Sequence, residues 1–313
     1  MLRKSFYSVL PLFLSVAVLL SGCGSSAAGA SSVIEASSTP TAASAVRQTP
    51  EFHDSGYHAE LAEELPGGGI DLSALTRGYV AVSIEDESRL KFQIIQGDST
   101  YNYDLPRDGT PAVYPLNMGD GSYTFRVMEN VVDDRYTELW STTVDVAMED
   151  EFQPFLRPSQ MVNYSADSAC VALAAQLAEN CGDDLAVASA VYDYLVENIS
   201  YDYEKAKTVE KGYLPDPDET LSTKTGICYD YAALTAAMLR SQGIPCQLIT
   251  GYVGEDALYH AWNRIYIEGQ GWLTVEIKVT GDTWKRVDVT FASTGTSTDT
   301  LENDGNYTTR YTY

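Results

Sequence analysis

The chain has 313 residues and a formal net charge of −24, from 20 Lys and Arg against 44 Asp and Glu. The length allows two domains with a sizeable core. The charge argues against nucleic acid as a partner, because no basic stripe is present to neutralise phosphates, and against loose adhesion to anionic lipid headgroups. The acids are spread along the chain and read as a solvated surface.

At the N-terminus, Arg3 and Lys4 precede an apolar run from Leu10 to Leu20, the length of a signal-peptide core and too short to span a bilayer comfortably. The run ends in Leu20-Ser21-Gly22-Cys23, which resembles the bacterial lipobox. That resemblance implies removal of residues 1–22, lipidation of Cys23 and an exported protein anchored to the bacterial cell membrane. Residues 23–50 are Ser, Ala, Thr and Pro with almost no large apolar side chain. They read as a flexible tether reaching on the order of 30 Å.

Residues 51–153 are expected to form a small all-β domain. Pro66-Gly67-Gly68-Gly69 marks a loop. From Gly78 the pattern turns to period two, with strands at 79–84, 90–95, 101–103, 122–128 and 139–146. Asp108-Gly109 and Gly119-Asp120-Gly121 supply turns between them. Five or six short strands at this spacing indicate an immunoglobulin-like sandwich. No catalytic grouping lies in it, and packing partner or spacer is its simplest role. Pro154 and Pro158 mark its end.

Residues 154–313 change character. Helices are expected over 165–181 and 184–199, the second capped by Asp183. A polar loop follows, with Asp216, Asp218 and Glu219, whose spacing matches no calcium loop. A further helix spans 231–241, with Leu234 and Met238 on one face and Gly243 as its stop signal. Strands are then expected near 246–253, 261–267, 272–279 and 284–291, with a last one at 307–313. Five cysteines and three histidines, at 53, 58 and 260, give no zinc-ligand spacing, and no metal or cofactor is implied. Cys170 and Cys181 would lie about 16 Å apart on a continuous helix, beyond the reach of a disulfide.

One constellation stands out. Cys228 follows Gly226 at the start of the 231–241 helix, where free backbone N–H groups and the helix dipole favour a thiolate and can receive an oxyanion. His260 opens an alternating strand, and Asp288 stands where a later strand ends. Base beside nucleophile and acid beside base is what a Cys–His–Asp triad requires.

The blocks Gly226-x-Cys228-x-x-Tyr231-Ala232-x-Leu234, Gly243-Ile244-Pro245, His260-Ala261-Trp262-Asn263 and Trp284-x-x-Val287-Asp288-x-Thr290 resemble the transglutaminase-like domain of bacterial exported proteins over about residues 165–295. The resemblance implies an α+β fold, a papain-like core of helices on an antiparallel sheet, after the all-β domain. It also implies Cys228 as nucleophile, His260 as base and Asp288 as the residue orienting the imidazole. The spacing common among relatives falls instead on Glu276, whereas the Val-Asp-x-Thr-Phe context favours Asp288.

The implied chemistry is acyl transfer from a peptide or glutamine carboxamide through a thioester, with an amine or water as acceptor. The substrates would be protein or peptide in the cell envelope. The rival reading is an inert module that binds envelope proteins or glycans. Two features oppose the enzyme. Asp230, two residues after the thiol, disfavours a thiolate by like charge. The Cys228 amide is one oxyanion donor, but the second is not evident.

Overall fold

The computed structural model describes residues 47–253, 258–275, 277–280, 283–286 and 307–313. The signal segment, Cys23 and nearly all of the tether therefore lie outside the described residues, as do Glu276 and Asp288.

The first part is all-β, in two four-stranded antiparallel sheets. One has the order β1 (Glu63–Leu65), β2 (Gly68–Asp71), β3 (Tyr79–Ile84), β6 (Ala112–Pro115). The other runs β5 (Ser99–Leu105), β4 (Leu90–Gln96), β7 (Gly121–Val132), β8 (Arg135–Val146). Alternation drives the packing: Leu90, Phe92 and Ile94 are buried on β4, as are Tyr123, Phe125 and Val127 on β7. Phe92 meets Tyr114 of the opposing sheet at 4.8 Å between ring centres, so the sheets share one core. Each such side chain contributes about 1.5–3 kcal/mol on leaving water.

Eight strands form where the periodicity gives five or six. The additional ones, β1, β2 and β6, have three or four residues each, too few to display a period. The expected loop at 66–69 is smaller than read. Only Pro66 and Gly67 turn the chain, while Gly68 and Gly69 already pair within the sheet.

The second part is α+β. Its sheet has the order β13 (Gly271–Val275), β12 (Leu258–Ile267), β11 (Cys246–Val253), β16 (Tyr307–Thr312), all antiparallel. Strands β14 (Ile277–Thr280) and β15 (Thr283–Arg286) form a separate hairpin. Against the sheet packs α5 (Cys228–Ser241), with α1 (Ala169–Ala178), α2 (Asp184–Asn198) and α4 (Pro217–Thr223) around it. Two short strands, β9 (Ser200–Tyr201) and β10 (Thr225–Gly226), pair in parallel, and α3 (Tyr203–Thr208) follows β9. This is the expected fold class.

Helix α5 departs from the expected single apolar face. Every residue from Asp230 to Ser241 is buried, because Ala232, Ala233, Ala236 and Ala237 let neighbours approach on all sides. It stops at Gly243, which takes a φ of +70°, and the amides of Gly243 and Ile244 bond back to Arg240 and Leu239.

The acids of the 201–219 loop act as caps. Asp202 caps α3, Asp216 caps α4, and Asp218 accepts from the amides of Ala169 and Cys170 at the start of α1. Asp183 caps α2 by accepting from Ala186, as the sequence implies. Helix α1 is shorter than 165–181, so Cys181 lies beyond its end. Cys170, Cys181, Cys228 and Cys246 are all free thiols.

The two parts meet through tyrosines. Tyr101 of β5 packs at a tilt against Tyr311 of β16, and Tyr101 and Tyr103 meet Tyr313 edge-on, with ring centres 5.2–6.0 Å apart. Thr312 donates its amide to the Tyr101 hydroxyl and accepts from the side chain of Asn117. The C-terminal strand is thereby both an edge of the second sheet and a contact for the first part.

Candidate active site

The site assembles where β9, β10, α5 and β12 converge. Strand β10 leads directly into α5 through Ile227, so Cys228 is the first helical residue. Gly226 is required there, because a Cβ on it would lie 2.7 Å from the Cβ of Asp230. The absent side chain lets the Asp230 carboxylate fold back and accept the Ile227 amide at 2.8 Å. That bond closes the open N-terminus of the helix from its own first turn.

Asp230 is fully buried and more heavily bonded than the sequence indicates. Lys205 of α3 pairs with its Oδ2 at 2.8 Å, and the Tyr213 hydroxyl donates to its Oδ1 at 2.5 Å. Lys205 also donates to the Tyr213 hydroxyl at 2.7 Å. Burial and the bond to Asp230 push the Tyr213 phenol up to about 12. Burial works against the Lys205 ammonium, yet its bonds to Asp230 and Tyr213 leave its pKa above the ordinary value. The Asp230 charge, which the sequence sets against the thiolate, is bonded locally to Lys205, Tyr213 and the Ile227 amide.

His260 lies on β12, opposite Gly251 of β11 in the antiparallel register. Three residues on, the buried Asn263 donates from Nδ2 to the carbonyl of Ala232 at 2.9 Å and to Gln247 at 3.3 Å. The histidine strand is therefore bonded directly to the cysteine helix, which fixes how one slides past the other.

Cys228 and His260, both half-buried, line a single cleft of about 810 Å³. Tyr201, Ile227 and Tyr229 flank the cysteine, and Tyr252, Tyr259 and Ala261 flank the histidine. Residues 209–214 form another side, and Asn102, Tyr103 and Asp104 of the all-β part close it. Composition gives no hint that the first part reaches the site. Nothing in the sequence pattern marks Lys205 or Tyr213 as part of the site.

The other cysteines differ in kind. Burial pushes the Cys246 thiol up to about 12, and it raises Cys170 further, aided by the nearby Asp218 carboxylate. Both remain thiols at neutral pH. His58 is bound to Asp71 at 2.9 Å and lies outside the cleft lining, as does His53. Among the described residues no group of His, Cys, Asp and Glu is arranged to hold a metal, and no helix is long and apolar enough to cross a membrane.

Residues 171–277 match the family model of the transglutaminase-like superfamily, so this stretch carries a transglutaminase-like domain. UPF0252 protein MJ1282 of Methanocaldococcus jannaschii is 39% identical over 96 residues, covering 28% of this chain and 27% of that protein. Mouse kyphoscoliosis peptidase is 29% identical over 108 residues, covering 31% of this chain and 16% of the peptidase. The chain thus aligns with under a third of the length of either relative. Among solved structures, a candidate cysteine protease of Cytophaga hutchinsonii is 18% identical with a TM-score of 0.36, covering 62% of this chain and 68% of its own. Red sea bream transglutaminase is 14% identical with a TM-score of 0.28, covering 63% and 47% respectively.

Proposed function

We propose that the chain is a cysteine acyltransferase or peptidase acting on peptide or glutamine carboxamides. The Cys228 thiolate attacks the carbonyl carbon, forming a C–S bond while the π pair moves onto oxygen. The tetrahedral intermediate collapses, the C–N bond breaks, and His260 gives the proton it took from the thiol to the departing amine. The resulting thioester passes to an amine or to water. Asp288 orients the imidazole. The reading rests on one observation above others: a cysteine at a helix N-terminus and a histidine on the adjoining strand face the same cleft.

The cleft rim favours a peptide as ligand. Leu258 and Tyr259 are 64% and 50% exposed beside His260, and Val209, Leu214 and Tyr252 are also exposed at the cleft. Apolar side chains gathered at one opening are a place for a partner to dock. Cys23 lipidation and export would present this site to the cell envelope from a flexible tether.

Iodoacetamide at neutral pH tests the nucleophile. Cys228 is expected to label about tenfold or more faster than a free model thiol, with Cys246 unreactive. A Cys228 no faster than the model thiol refutes the enzyme. Mass spectrometry of envelope peptides incubated with the protein then separates the acceptors. Cross-links indicate amine transfer, and deamidation or cleavage indicates water. Absence of all three, with Cys228→Ala indistinguishable from the parent protein, favours the inert binding module.

A further inference from the structure

The C-terminal strand carries a positive charge into the cleft. Where β16 lies on β11, Thr309 stands opposite Gly251 and Tyr311 opposite Thr250, which leaves Arg310 over as the extra residue of a β-bulge. Bulges re-aim a side chain and recur beside active sites. Gly251 pairs on its other side with His260, so the bulge lies level with the histidine, two strand spacings or about 10 Å across the sheet. Only glycine fits between them, because a Cβ on Gly251 would lie 2.1 Å from the Thr308 carbonyl oxygen. Arg310 is exposed, holds its guanidinium 5.2 Å from the ring centre of Tyr311, and lines the cleft with Cys228 and His260. None of the ion pairs among the described residues involves it. The cleft carboxylate of Asp104 is already paired, with Lys91 at 2.7 Å and Arg89 at 3.4 Å. A second group stands beside the bulge. Thr250 also lines the cleft and is 5% exposed, and its hydroxyl is buried with no hydrogen-bond partner among the described residues. Buried hydroxyls in folded proteins ordinarily have one.

We infer that Arg310 and Thr250 form a subsite for a carboxylate of the substrate. The inference rests on the reading of this cleft as a peptide site. The guanidinium supplies charge and N–H donors, and the hydroxyl a neutral donor, to the two oxygens of one carboxylate. A dianionic phosphate fits less well, since a single guanidinium would face it in a cleft that Asp104 and Glu210 also line. An extended peptide advances about 3.3–3.6 Å per residue, so the carboxylate belongs within about two residues of the bond attacked. The substrate class is thereby an acidic peptide, which a chain of net charge −24 would otherwise repel.

Two peptide reagents of the same shape read that charge. Bromoacetyl-Ala-Glu amide and bromoacetyl-Ala-Gln amide both alkylate a thiol by displacing bromide, and they differ by one carboxylate. In the full chain at low salt, the Glu reagent is expected to label Cys228 about fivefold faster than the Gln reagent, relative to the same ratio on a free model thiol. Arg310→Gln should abolish the preference, and Thr250→Val should lower it about twofold. Arg310→Lys keeps the charge and should retain part of it, which separates a lost charge from a damaged site. Equal rates in the parent protein overturn the inference, as does a preference that survives in Arg310→Gln. Equal slowing of both reagents in Arg310→Gln and Arg310→Lys would mean that Arg310 acts through the fold, and overturns it too. A preference unchanged in Thr250→Val removes the hydroxyl from the subsite. If neither reagent labels Cys228 faster than bromoacetamide, the peptide reading itself falls. Both labelling faster than bromoacetamide at equal rates leaves that reading standing and refutes the carboxylate subsite alone.

Discussion

At the residue scale, the chemistry around Cys228 depends on a carboxylate that sequence reading sets against it. Asp230 holds three partners in a fully buried position, and one of them, Lys205, carries the compensating charge. Removing Lys205 leaves a buried carboxylate with neutral donors alone. Breaking a buried pair on one side costs about 3–5 kcal/mol. Lys205 is 30% exposed, so Lys205→Met should cost somewhat less, about 2–3 kcal/mol in denaturant unfolding. It should also slow alkylation of Cys228, since the uncompensated charge lies two residues from the thiol. The pH dependence follows from the raised Lys205 pKa. Its stabilisation is complete below the unfolded value near 10.4 and is lost as pH rises through the folded one. A parent protein whose melting temperature falls above about pH 10 more steeply than that of Lys205→Met would bear this out.

At the element scale, the caps tie helices to one another rather than only closing their own ends. Asp218, within α4, caps the first turn of α1 through the amides of Ala169 and Cys170. Both helices pack on α5, so this carboxylate helps hold the cradle of the cysteine helix. Burial would raise its pKa, but those amides outweigh it and hold the pKa below the ordinary value. Its contribution is present above the unfolded pKa near 3.9 and disappears as pH falls through the folded one. Asp218→Asn should therefore unfold about 1 kcal/mol more easily at pH 7, with the gap closing below about pH 4. A gap that persists at pH 2 would show that the charge is not what matters. The strand bearing His260 is positioned by another cross-element bond, from Asn263 to the α5 carbonyl of Ala232.

At the scale of the whole molecule, the all-β part is a wall of the cleft as well as a neighbour of the core. Strand β5 supplies Asn102, Tyr103 and Asp104 to the cleft, and Tyr101 bonds the C-terminal strand. That strand is also held from inside. The guanidinium of fully buried Arg240 donates to the carbonyls of Cys246, Arg157 and Tyr313, each at 2.9 Å. The shared tyrosine cluster implies that the two parts unfold together. Calorimetry of the parent protein should give a single transition. Tyr101→Ala, which removes the bond to Thr312 and the ring contacts with Tyr311 and Tyr313, should destabilise by about 2–4 kcal/mol and split or broaden that transition. Two transitions already present in the parent protein would refute the coupling.

What the sequence determined is what is local or periodic. The alternation of β4 and β7, the stop at Gly243, the cap at Asp183 and the placement of Cys228 at a helix start all follow from neighbours along the chain. His260 was legible through its alternating strand and the block around it. The tertiary structure decided what depends on groups distant in sequence. The pairing of Lys205 with Asp230 spans a loop of no regular pattern, and the cleft wall from β5 lies more than a hundred residues from the cysteine. Tyr201 joins the cleft of Cys228 through two-residue strands too short to leave a period in the sequence. Such contacts are specified by which surfaces pack, and single-chain periodicity carries no record of a partner on another element.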